Sequence, residues 1–78
     1  MSQAALSPMT QRLVDLAKII VNQGDIAVIY VGPHLFRARK IADMGGVLAC
    51  EDQRGMTFMI DASAIVAVLE VQTAGPTE

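Results

Sequence analysis

Three cations and a histidine stand close together in the middle of the chain and are the residues best suited to chemistry. Arg37, Arg39 and Lys40 are half of the lysines and arginines in the chain, and His34 lies just before them. Guanidinium and ammonium groups bind phosphates and carboxylates, and phosphate contacts of this kind weaken steeply with salt. The cluster therefore predicts a site for a nucleic acid or an acidic partner. The alternative is a solvated strand face whose charges prevent pairing with other strands.

The sequence contains no set of residues with the spacing of a catalytic or metal site. Cys50 is the single cysteine and needs a neighbouring base to become a nucleophile, but no spacing brings His34 to it. Neither residue has the further histidine or cysteines that a zinc site needs. The other acidic candidates fall near predicted turns, where carboxylates commonly act as caps. They are Asp25, Asp43, Glu51, Asp52 and Asp61. We therefore predict a buried Cys50 and a protein that is not an enzyme and holds no metal or cofactor.

Composition bounds the class of protein. The 78 residues suffice for one domain, and 53% of them are hydrophobic while 18% are charged. Such a chain is too apolar to be disordered and too small to bury all of its apolar side chains in one core. Part of the apolar surface is therefore expected to lie between subunits. The net charge of −2 restricts any nucleic-acid contact to a local patch.

The sequence predicts a soluble cytoplasmic protein. The first six residues contain no cation, and residues 22–25 interrupt the longest apolar stretch, so neither a signal peptide nor a membrane span is predicted. A single cysteine excludes a disulfide framework and fits a reducing compartment. Residues 1–7 and 73–78 are expected to be flexible ends of one domain at residues 8–72.

One amphipathic helix is predicted at residues 8–23. Ser7 is a good N-cap residue, and Pro8 suits the first helical position. Gly24 provides a C-cap. Apolar residues recur at spacings of three and four, which indicates one apolar stripe. They are Met9, Leu13, Leu16, Ala17, Ile20 and Val21.

Five short strands are predicted between residues 26 and 71. Residues 26–31 are rich in β-branched side chains, and residues 34–41 alternate until Lys40 and Ile41 break the phase, which indicates a bend. Further strands are predicted at residues 47–51, 56–61 and 65–71. The predicted fold class is mainly β, an N-terminal helix followed by a five-stranded, strongly bent antiparallel SH3-like barrel.

The last strand is apolar on both faces, as Ile65, Val66, Val68 and Leu69 show. Such a strand at the edge of a sheet promotes association unless something covers it. One interpretation is an edge that pairs with a neighbouring subunit, with Met59 of the preceding strand at the same interface. The other is a strand buried between the barrel and the N-terminal helix.

From Asp25 to Val68 the order of strands resembles the Sm-like fold, and the preceding helix is similar to that of its bacterial RNA-chaperone branch, Hfq. Asp43 opens a glycine-containing loop like the Asp-containing loop of the family, and Ser63 lies where the family makes a short step before its fifth strand. The resemblance implies a ring of about five to seven subunits, joined by pairing between fourth and fifth strands.

The residues at the short step depart from the family pattern. Sm-like proteins that bind RNA usually carry an Arg-Gly or Lys-His pair there, whereas this chain has Asp61, Ala62 and Ser63. The loss of the cation and the gain of a carboxylate make the expected base pocket neutral or acidic. The resemblance therefore implies the ring architecture more strongly than the RNA chemistry.

Two functions follow from these observations. The first is a non-enzymatic binding protein that forms a homo-oligomeric Sm-like ring, with RNA as the candidate ligand of Arg37, Arg39, Lys40 and His34. The second is a small β-barrel that has a structural role or binds another protein and no nucleic acid. The order of the strands favours the first, and the acidic composition favours the second.

Overall fold

The structure, a computed structural model, describes residues 6–71 and contains one α-helix and six strands within them. The predicted class, mainly β with an N-terminal helix, is confirmed. The helix α1 spans Pro8–Asn22, and the strands are β1 (Ile26–Val31), β2 (His34–Ala38), β3 (Lys40–Asp43), β4 (Val47–Glu51), β5 (Thr57–Asp61) and β6 (Ile65–Val71). A 3-10 turn, Ala62–Ala64, separates β5 from β6. The predicted tail at residues 73–78 and the first five residues lie outside the described part of the chain.

The start of α1 follows from its capping residues. The Ser7 hydroxyl oxygen accepts a hydrogen bond from the Thr10 backbone N–H at 3.1 Å, and Pro8 occupies the first turn, where its missing N–H costs nothing. At the other end Gly24 has a φ of +88°, in the left-handed region that glycine adopts without strain. The helix therefore ends one residue before the predicted boundary.

The buried side of α1 differs from the predicted stripe. Val14, Ala17 and Ile20 face the core, whereas Met9 and Leu16 are exposed. Met9 and Leu16 lie on the flank of the apolar stripe, so a small rotation of α1 toward Val14 is enough to leave them in solvent. Part of the predicted apolar stripe therefore stays outside the core, because the apolar side of the helix is wider than the surface that the sheets cover.

Two three-stranded antiparallel sheets form the body of the protein. The first has the order β2-β1-β6 and the second the order β3-β4-β5. Six strands occur where five were predicted because Arg39 interrupts the second predicted strand, and its two halves join different sheets. This is the bend that Lys40 and Ile41 indicated. No strand of one sheet pairs with a strand of the other within residues 6–71, so a closed five-stranded barrel is not observed.

The core lies between the two sheets and beneath α1. Its largest fully buried side chains are Val14, Ile20, Ile29 and Leu48. Ile29 of β1 is flanked in register by Phe36 of β2 and Val68 of β6, so all three strands of the first sheet contribute to the same layer. The helix packs against β1, β3 and β6, and thereby closes one side of the space between the sheets.

The loop between β3 and β4 is fastened to the connection between β5 and β6. The Ala62 backbone N–H donates to the Gly46 carbonyl oxygen at 2.9 Å, and the Met44 N–H donates to the Val47 carbonyl oxygen at 2.8 Å. Gly45 and Gly46 have φ values of +78° and +98°, which other residues rarely adopt. These contacts fix the point at which the chain passes from the second sheet to the first.

Candidate functional site

β5 and β6 each have one side without a strand partner in the described part of the chain. β5 pairs with β4 alone, and β6 pairs with β1 alone, so each strand ends its sheet. The 3-10 turn connects the two strands directly. The backbone N–H and C=O groups on these free sides can pair with a strand of another molecule. We call the two free sides the assembly edges.

The structure divides the five predicted interface residues into two groups. Met59, Val66 and Leu69 are 65%, 62% and 52% exposed and lie on the strands that carry the assembly edges. Ile65 and Val68 are buried in the core of the chain itself, beneath α1. Because their side chains are already covered within the chain, Ile65 and Val68 offer little apolar surface to a neighbouring subunit. For these two residues the interpretation of a strand covered by its own helix applies.

The two positions matched to the Sm-like family have partners within the chain. Asp61 Oδ1 accepts hydrogen bonds from the Ser63 backbone N–H at 3.0 Å and from the Ser63 hydroxyl at 2.8 Å, and both bonds lower the pKa of Asp61. Asp43 Oδ1 accepts from the Gly45 N–H at 3.1 Å, and its Oδ2 lies 3.5 Å from the Lys18 ammonium. Both carboxylates therefore stabilise turns, and Asp61 keeps its negative charge to lower pH than a free aspartate.

The four residues of the predicted phosphate site do not converge. His34 begins β2, whereas Arg39 follows the last residue of that strand and is neutralised by Glu51, whose Oε2 lies 2.7 Å from the Arg39 Nη2. Arg39 and Lys40 line a groove of about 620 Å³ between the end of α1 and the second sheet. Arg37 instead lines a separate groove on the other side of the bend. The bend at Arg39 therefore divides the cluster.

The second groove, which we call the hairpin groove, lies between β2 and the β4–β5 hairpin and has a volume of about 380 Å³. Arg37 lines it from β2 and Arg54 from the hairpin turn. Phe36 and Phe58, both partly buried, contribute a stacked pair of rings with centroids 5.3 Å apart and an interplanar angle of 25°. Reasoning from sequence did not single out Arg54, because no local spacing relates it to Arg37.

Cys50 lies in the core, as predicted. The residue is 2% exposed, and burial raises the pKa of its thiol to about 11. A thiol with such a pKa is almost entirely protonated at neutral pH and is a poor nucleophile. Among residues 6–71 there is no group of three or more histidine, cysteine, aspartate or glutamate side chains that could hold a metal ion.

Comparison with known proteins identifies no relative of this chain, so the proposed function is argued from the structure. No protein-family model, curated protein or solved structure matches the chain. Over residues 6–71, no helix has the length and apolar character needed to cross a membrane.

Proposed function

We propose that this chain is a non-enzymatic β module that forms homo-oligomers by pairing the assembly edge of β5 in one copy with that of β6 in the next. The observation that carries the proposal is that the free edges of β5 and β6, two strands joined by a single 3-10 turn, both bear exposed apolar side chains. Met59 lies on β5, and Val66 and Leu69 lie on β6.

Pairing of unlike edges adds copies head to tail. Such an interface closes into a ring if the rotation between copies permits it and otherwise extends as a filament. The 3-10 turn joins β5 and β6, which belong to different sheets, so the two assembly edges of one copy are not the opposite edges of a single sheet. The Sm-like resemblance implies the same arrangement, a ring built by pairing of the last two strands.

The exposed apolar side chains supply the driving force. Covering half or more of Met59, Val66 and Leu69 contributes on the order of 1 kcal/mol for each side chain. Backbone hydrogen bonds along the paired edges add to this and specify the register. A chain of 78 residues, of which 53% are hydrophobic, has few other means of removing this surface from water.

RNA binding is the weaker of the two candidate functions. The net charge of −2, the pairing of Arg39 with Glu51 and the negative charge of Asp61 all oppose binding of a polyanion. If RNA were the ligand, replacing Arg37 and Arg39 with alanine would weaken binding for all sequences and reduce its salt dependence. A gel-shift titration with single-stranded RNA at low ionic strength tests this, and absence of binding leaves the assembly proposal intact.

Sedimentation velocity of an edge variant tests the proposal. Val66→Lys combined with Leu69→Lys places two charges on the β6 edge, and we expect dissociation to a folded monomer. Met9→Lys is the matched control because Met9 is equally exposed but lies on α1, and its oligomer should persist. An edge variant that sediments as the wild type while keeping a native circular dichroism spectrum would overturn the proposal.

A further inference from the structure

The hairpin groove is lined by both apolar and positively charged residues. The stacked rings of Phe36 and Phe58 form an apolar floor, and the exposed side chains of Leu35 and Met56 extend this surface toward solvent. Arg37 lines the groove from β2, and Arg54 lines it from the hairpin turn. A ligand that fills the groove must therefore bring both apolar surface and negative charge.

The two arginines of the hairpin groove are available to a partner. Within residues 6–71 neither Arg37 nor Arg54 forms an ion pair, whereas Arg39 is held by Glu51 at 2.7 Å. Asp52 is the one carboxylate among the lining residues, and its Oδ1 already accepts hydrogen bonds from the backbone N–H groups of Arg54 and Met56, at 2.9 and 3.0 Å. Two cations against one engaged carboxylate give the groove a positive character that complements an anionic group.

The backbone beside the groove suits an extended peptide. β2 pairs with β1 on one side, and its other side has no strand partner in the described part of the chain. A peptide can add to such a side as a further strand, with alternate side chains entering a neighbouring pocket. This free side is separate from the assembly edges, which belong to β5 and β6.

From these observations we propose that the hairpin groove binds an extended segment of another protein, in which acidic residues alternate with large apolar ones. Its acidic side chains pair with Arg37 and Arg54, and its apolar side chain packs on Phe36 and Phe58. A peptide fits better than a nucleic acid because the two rings already stack on one another, which leaves little ring face for bases. The inference goes beyond self-association and does not depend on it.

Fluorescence anisotropy with a defined probe tests the proposal. The probe is a fluorescein-labelled peptide in which glutamate alternates with leucine and phenylalanine, and the reference is the same peptide with lysine in place of glutamate. We expect the acidic peptide to bind and the basic one not to bind. Arg37→Glu combined with Arg54→Glu should weaken binding by about tenfold or more, because both cations that face the carboxylates of the peptide are replaced by repelling charges.

Two further variants separate this site from general effects. Arg12→Glu is the charge control, because Arg12 is an exposed cation on α1, and binding should be unchanged. Met56→Asp removes apolar surface without touching the core and should also weaken binding. Equal loss with Arg12→Glu, or tight binding of single-stranded oligouridylate without binding of the acidic peptide, would overturn the proposal. The oligomeric state, measured on the same samples, shows independently whether self-association holds.

Discussion

Cys50 provides a sensitive test of the packing between the sheets. Its side chain lies in the second sheet, opposite Ile41 on one neighbouring strand and Phe58 on the other, and the residue is 2% exposed. Burial raises the pKa of its thiol to about 11. Because the thiolate is the species that reacts with alkylating agents, the native fold should slow alkylation of Cys50.

The size of the effect follows from the pKa. Relative to the ordinary value of 9.0, a pKa of about 11 lowers the thiolate fraction at pH 8 about a hundredfold. Steric exclusion from the core slows the reaction further, because the reagent must wait for the protein to open. We therefore expect iodoacetamide to modify the native protein at least about a hundred times more slowly than the unfolded chain.

Alkylation followed by intact-mass spectrometry at pH 8 measures this rate. The control is Met44→Cys in a Cys50→Ala background, which places a thiol in an exposed loop and should react at the rate of the unfolded chain. The reasoning would be refuted if native Cys50 reacted as fast as this exposed cysteine. It would then be accessible, and a nucleophilic role would have to be considered again.

Three further predictions concern stability. A hydrogen bond with Asp25 raises the pKa of Glu70, so protonated Glu70 stabilises the fold at low pH, and this stabilisation is lost as the pH rises through the raised pKa. Glu70→Gln should therefore raise the melting temperature at pH 7 and make the melting temperature less dependent on pH, as measured in thermal melts. The bonds from the Ser63 side chain and backbone lower the pKa of Asp61, so Asp61→Ala should lower the melting temperature more at pH 7 than at pH 2, with Asp61→Asn as the control that retains a cap. Leu48→Ala should reduce the free energy of unfolding in urea by about 2–5 kcal/mol, because Leu48 is fully buried. Met44→Ala, at an exposed position, should leave the free energy of unfolding nearly unchanged. Changes in melting temperature of the opposite sign in the Glu70 or Asp61 variants would contradict these assignments. So would a small loss of unfolding free energy in Leu48→Ala.

Local sequence signals were sufficient for the elements of the fold. Ser7 and Pro8 locate the start of α1 because capping is decided by neighbouring residues. The break of alternation at Lys40 and Ile41 indicates the bend, which the structure places at Arg39. These features depend on residues that are close in sequence, and they can therefore be predicted before any tertiary contact is known.

Long-range features were less accessible. The burial of Ile65 and Val68 depends on the position of α1, which no pattern within β6 reveals. Arg37 and Arg54 line the same groove from different sheets, and no residue near either of them in the sequence indicates that the two arginines come together. The division of the cation cluster has the same origin, since a bend in one strand sends Arg37 and Lys40 to different sheets.

The native mass of the wild-type protein tests the central claim most directly. Native mass spectrometry over a range of protein concentrations should show one closed oligomer, of about five to seven chains if the Sm-like arrangement holds, with a size that does not grow with concentration. Pairing of the two unlike assembly edges on every chain gives such a species when the rotation between copies closes the ring. A monomer at all concentrations would contradict the account, because Met59, Val66 and Leu69 would then remain in water without a partner.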